Sequence, residues 1–291
     1  MKIQQLYADV TANIIKELEA GAVPWLKCWK GRSTGLLPAN AISKRAYSGI
    51  NIPILWFAAT ERGYEKHQWL TYQQAAAANA TVRKGEKGTF IVFTKPLLFK
   101  DKETEEEKKK GRMLKTFCVF NVAQIDGLEL SDPDPPTQIQ RHAAAEALIK
   151  ATEAKIELGG DRACYATAWD MVMMPHPADF NDPEQFYGVA LHELSHWSGA
   201  KHRLDRDMSG VYKSKPYSFE EIIAELASAF LCAHLGIKAE LRHAGYIQSY
   251  LEVLKDDDKV FFRAAAKAQQ AADYLRAFSD KAEVDAEAAT V

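Results

Sequence analysis

The stretch from Phe186 to His202, FYGVALHELSHWSGAKH, constrains this chain more than any other. It contains His192-Glu193-Leu194-Ser195-His196, an HExxH pattern. On a helix, residues four apart share a face, so both imidazoles can reach one ion. Glu193 lies about 100° further round the helix, which sets its carboxylate beside the ion's water rather than on the ion. The flanks support the helix. Asn181-Asp182-Pro183-Glu184 reads as an N-cap with Pro at N1, and Gly199 reads as the stop. Phe186, Val189, Ala190, Leu191, Leu194 and Trp197 supply a broad apolar face. On so buried a helix, two histidines without partners would be costly. Two ligands, a base and a third ligand from elsewhere are the parts of a zinc hydrolase. Zn2+ is the expected cofactor, and Mn2+ is a further divalent ion that suits such a site.

Three residues compete for the third ligand position. His192 to His202 matches HExxHxxGxxH, in which Gly199 turns the chain and His202 binds the ion. That pattern needs a methionine turn well downstream, and Met208 is the last methionine in the sequence. The other source is Ser218-Phe219-Glu220-Glu221-Ile222-Ile223-Ala224-Glu225, the start of a helix running to about Leu235. Glu221 and Glu225 share a face there, one to bind the ion and one to orient a ligand histidine from behind. Ser218 and Glu221 also fit a capping box, which would occupy Glu221 and leave Glu225 as the ligand. Glu221 is the preferred ligand, with Glu225 and His202 as alternatives. His176 and Tyr217 are candidate hydrogen-bond donors to an oxyanion.

A chain of 291 residues suggests two domains. The start, MKIQQLYADV, lacks an apolar signal core, and no run approaches a membrane span. The four cysteines are scattered without a CxxC pair, which suits a reduced, cytoplasmic protein. The formal charge is -2, but residues 1–130 carry a net +7 and residues 131–291 a net -9. Such asymmetry suggests a different partner for each half.

The first half opens with an amphipathic helix over residues 3–20. Trp25 and Trp29 follow among lysines. Asn40, Ser43, Lys44, Arg45, Tyr47 and Asn51 crowd into twelve positions, and Trp69, Arg83, Lys84 and Lys87 come later. Lysine and arginine can hold phosphates, and aromatic rings can stack bases. Together these residues read as a surface for single-stranded DNA, bound with little sequence preference and strong salt dependence. Two strands, near 89–93 and 116–122, flank the charge run DKETEEEKKKGR. The expected organisation is α+β with two domains. These are a DNA-binding domain over 1–126, a Pro-rich linker over 127–137, a metallopeptidase domain over 138–278 and an acidic, unstructured tail over 279–291.

Several stretches together resemble the ArdC antirestriction family of conjugative plasmids. They are LEAGAVPW, PANAISKRAYSGIN, QWLTYQQA with VRKGEKGT, FYGVALHELSHWSGAKHRLDRDMSG, and YSFEEIIAELASAF. The resemblance implies an N-terminal single-stranded-DNA-binding domain related to TraC-type primases, and a zincin-like metallopeptidase domain after it. It implies His192 and His196 as zinc ligands, Glu193 as general base and a glutamate of EEIIAE as third ligand. It also implies protection of incoming plasmid DNA from host restriction, with a restriction component or another DNA-associated protein as substrate. The competing expectation is a non-catalytic DNA-coating or occluding protein whose metal site is structural or vestigial.

Overall fold

The structure is a computed structural model. It describes residues 3–21, 23, 25, 36–100, 107–130, 137–212, 214–238 and 247–289. Trp29 and the first half of the acidic–basic run, residues 101–106, lie outside these residues, and its second half belongs to a strand.

The first half comprises α1 (Ile3–Glu19), β1 (Ala39–Asn40), α2 (Asn51–Arg62), β2 (Gln68–Leu70), α3 (Tyr72–Ala77), β3 (Thr81–Val82), β4 (Thr89–Lys100), β5 (Glu107–Asn121) and β6 (Ile125–Asp126). A four-stranded sheet of order β1-β2-β5-β4 forms its frame, and β3 pairs with β6. The long antiparallel β4–β5 hairpin packs against α2, where Asn51 exchanges two hydrogen bonds of 2.8 Å with the Val92 backbone. Thr71 caps α3 in a reciprocal box with Gln74.

The second half comprises α4 (Gln138–Ala151), β7 (Lys155–Leu158), β8 (Cys164–Ala166), β9 (Met171–Met174), α5 (Pro183–Ser198), α6 (Lys215–Leu235), α7 (Ile247–Asp256) and α8 (Val260–Ala289). Its three-stranded sheet has the order β7-β9-β8, so β8 is an edge strand. α5 and α6 pack on each other, and α8 lies against both. Asp182 caps α5 and Pro183 opens it, as the sequence predicts. The acidic stretch from Ser279 belongs to α8 as far as Ala289. Alanine, glutamate and lysine are strong helix formers, and their weight exceeds that of the missing apolar period.

α6 begins one turn earlier than the sequence predicts. Ser214, not Ser218, is its N-cap, with Pro216 in the first turn. The Ser218–Glu221 capping box therefore does not form, and Ser218 is buried inside the helix. Proline favours the first turn of a helix because it lacks the N–H that would be orphaned there.

The two halves differ in topology but share their main core. One apolar cluster runs from Leu6 through Trp56, Leu191 and Phe230 to Leu275. α1 packs on α7, Tyr7 meets Phe262 edge-on at 4.5 Å, and Thr11 donates to the Asp258 carbonyl at 2.8 Å. A small second cluster, including Leu70, Ala75 and Ile125, is confined to the first half.

Candidate metal centre

α5 carries His192, Glu193 and His196, all buried. The crossing helix α6 brings Glu221 to them. The Nε2 atoms of His192 and His196 are 3.1 Å apart. Glu221 Oε2 lies 3.7 Å from the first, and its Oε1 lies 3.5 Å from the second. Donors about 2.0–2.2 Å from a tetrahedral ion stand roughly 3.3–3.6 Å from one another. His192, His196 and Glu221 thus already have the spacing of a three-ligand face, with a fourth position toward the cleft. Glu193 and Glu220 are buried around them, and the buried Arg206 guanidinium pairs with Glu220. A dication held by the three donors would offset the carboxylate charge buried there. Without an ion, the His196 imidazole titrates at about 9. Burial alone would depress it, but the bond to Glu220 and the charges of Glu221, Glu220 and Glu193 outweigh that.

Glu193 points into the same cleft. Burial, aided by the Glu221 charge, pushes its carboxyl up to about 7, while His196 and the Tyr165 backbone N–H oppose the shift. A base poised near neutrality suits proton transfer. The cleft, about 630 Å³, is lined by Cys164 and Tyr165 of β8, by Phe180, Val189 and Met208, and by Tyr217. His176 is exposed and outside that lining.

Two expectations for the third ligand give way here. His202 is exposed and lies 3.3 Å from Asp170, beside the Asp170–Arg203 ion pair. The chain after Gly199 turns away from the site before reaching it. Glu225 is buried one turn beyond Glu221, where Trp25 Nε1 and Tyr250 Oη each donate to it at 2.7 Å. The carboxylate behind a ligand histidine is instead Glu220, 3.2 Å from His196 Nδ1. Nothing in the helical period singles Glu220 out, because the crossing of α5 and α6 decides which glutamate meets that nitrogen.

The residues expected to hold DNA divide by exposure. Trp25 and Trp69 are 0 % exposed, and Tyr47 and Asn51 are also buried. Trp25 packs on Phe261 at 5.4 Å, and Asn51 ties α2 to β4. The three rings serve the core, because large rings give the greatest apolar burial, and Asn51 serves it by pairing with backbone. Ser43, Lys44, Arg45, Lys84 and Lys87 remain exposed, and Asn40 accepts from Ser43 to shape that tight loop. Arg83 is engaged with Asp126 and Glu86. Tyr72, at 61 % exposure, is an open aromatic that the sequence reading passed over.

Fold and site define a zincin-like metallopeptidase domain joined to a smaller sheet domain. Residues 143–267 match the family described as zincin-like metallopeptidase, and residues 4–120 match the N-terminal domain of anti-restriction factor ArdC. The chain is similar to the metal-free crystal structure of antirestriction protein ArdC from plasmid R388. The two are 38% identical, with a TM-score of 0.79, over 95% of this chain and 98% of that one. The Mn(II)-bound form of the same protein matches with a TM-score of 0.77, at 38% identity over 94% and 98% of the two chains. The chain belongs to the ArdC antirestriction family. It is also 41% identical to protein y4eC of Sinorhizobium fredii, over 94% of this chain and 92% of that protein. It is 37% identical to an Escherichia coli DNA primase TraC, over 94% of this chain but 20% of the primase. No described helix is long and apolar enough to cross a membrane.

Proposed function

We propose that this protein is a DNA-associated metallopeptidase that protects incoming plasmid DNA from host restriction during conjugative transfer. The observation that carries the peptidase reading is the convergence of His192, His196 and Glu221 at ligand spacing with Glu193 beside them. His192, His196 and Glu221 would hold Zn2+ or Mn2+; a relative of this chain has been crystallised with Mn(II). When bound, the ion supplies Lewis acidity to a water and to the scissile carbonyl. Glu193 takes a proton from that water and returns it to the leaving amine. The edge strand β8 offers backbone groups to an extended substrate chain. Tyr217, on the cleft wall, is placed to donate to a developing oxyanion. The first half supplies delivery: the exposed Ser43-Lys44-Arg45 loop and the Lys84–Lys87 turn hold single-stranded DNA through its phosphates. The substrate class is a restriction component or another protein met on that DNA, in the cytoplasm.

Glu193→Gln tests the reading. Cleavage of a peptide library should fall by about 10²–10⁴-fold while Zn2+ or Mn2+ stays bound. Undiminished cleavage would overturn Glu193 as the base. Undiminished protection of transferred DNA by the same variant would leave DNA binding alone as the protective activity.

A further inference from the structure

The ligand set leaves Arg206 and Glu220 without a task, although both are buried and charged. Glu220 precedes Glu221 on α6, so its carboxylate points elsewhere by about a quarter turn. It meets His196 on the ring nitrogen opposite the one that faces the site, Nδ1, at 3.2 Å. Arg206 holds Glu220 from the other side. Its Nε donates to Oε1 at 3.2 Å and to Oε2 at 3.0 Å, and its Nη2 donates to Oε1 at 2.8 Å. Its remaining donors reach the α5 C-terminus: Nη2 to the Ser195 carbonyl at 2.6 Å and Nη1 to Ser198 Oγ at 3.0 Å. The two side chains are 3 % and 8 % exposed.

Gly199 belongs to the same arrangement. Its φ is -79°, which any residue adopts, so the turn does not require glycine. Space does. A Cβ at Gly199 would lie 2.7 Å from Arg206 Nη2 and 2.9 Å from Cζ. The guanidinium fills the room that a side chain at position 199 would take.

We propose that Arg206 is a positioning residue for the metal centre, acting through Glu220 on His196, and that Gly199 is the gap that admits it. This rests on the reading of His192, His196 and Glu221 as metal ligands. The fork fixes both Glu220 oxygens, and Glu220 keeps the His196 proton on Nδ1. The lone pair is thereby left on Nε2, facing His192 and Glu221, with the ring held and made more basic. A glycine one residue beyond the motif helix and an arginine on the following loop thus act on the His196 ring through Glu220.

Zn2+ affinity measured by chelator competition tests this, together with the visible spectrum of the Co2+-substituted protein and the thermal midpoint without metal. Glu220→Gln, Arg206→Lys and Gly199→Ala should each weaken Zn2+ binding by about 10–100-fold and shift the Co2+ bands. His202→Ala, on the exposed face, should do neither. Arg206→Lys keeps the charge but loses the fork, so full affinity in that variant would overturn the proposal. So would wild-type affinity and spectrum in Gly199→Ala and Glu220→Gln with only a lowered midpoint, since that is the signature of a structural ion pair. If the wild-type protein itself binds neither Zn2+ nor Co2+, the metal reading fails first. If it binds and the variants match it, only the positioning role fails.

Discussion

The candidate metal centre and the exposed loops proposed to hold DNA use the same kinds of residue under different rules. At the metal centre, chemistry demands that three donors meet within a few ångströms, and an i, i+4 spacing on one helix supplies two of them. On the first half, recognition of a flexible strand demands only exposed charge and open rings. Histidine pairs at helical spacing have few other reasons to exist on a buried face. Tryptophan and tyrosine have a very common one, namely filling a core. The contrast explains why His192, Glu193, His196 and Glu221 come together as expected while Trp25, Trp69, Tyr47 and Asn51 turn inward.

The sharpest way to break that contrast is to treat Trp25 as a DNA residue and remove it. Trp25→Ala should cost about 3–5 kcal/mol of stability, as for other buried aromatics. Trp25→Phe keeps a ring but removes the donor to Glu225, and should cost about 1–3 kcal/mol. Chemical denaturation reads both. A Phe variant with full stability but weakened oligonucleotide binding would restore Trp25 to the DNA surface.

The partner of that tryptophan gives a pH signature. Burial pushes the Glu225 carboxyl up to about 8, against the Tyr250 and Trp25 bonds, from an ordinary 4.5. The neutral form's contribution to stability is fully present below pH 4.5 and is lost as pH rises through 8. Metal-free wild-type protein should therefore lose stability between pH 5 and pH 8, and Glu225→Gln should flatten that slope. Equal slopes in the two proteins would place the titrating group elsewhere.

The smallest effect belongs to the surface loop. Lys44→Ala and Arg45→Ala should each lower the salt dependence of oligonucleotide binding by about 0.7 in log–log slope, one phosphate contact apiece. Stability should stay within about 0.5 kcal/mol. Unchanged binding in the double variant would move the DNA surface away from this loop.

The parts of the structure that were readable from sequence share one property: their cause is local. The Asp182–Pro183 start of α5 and the parts of β4 and β5 near 89–93 and 116–121 follow from neighbours in the chain, whereas the extension of both strands toward the charge run depends on their pairing. What escaped depends on tertiary contact. Ser218 loses the cap to Ser214, which is followed by Pro216 in the first turn. Glu220 became visible only when α6 crossed α5. α7 and α8 carry no motif residue, although the alanine-rich run from Val260 is a strong helix signal. The expected break at 127–137 marks a change of topology, yet Leu6, Trp25 and Trp56 pack in one cluster with Leu191, Phe230 and Leu275.

That common cluster bears on how such a chain can be inherited. An exchange of genetic material joining the first half of one relative to the second half of another would have to match two halves of a single interior. Swapping, losing or duplicating one half alone would strand the apolar faces of α1 and α7 in water. The transferable piece is the whole block. The match to the TraC primase fits this, because 94% of this chain corresponds there to one fifth of a much longer polypeptide. The sheet-bearing first half and the candidate peptidase centre travel together because neither half has a finished surface without the other.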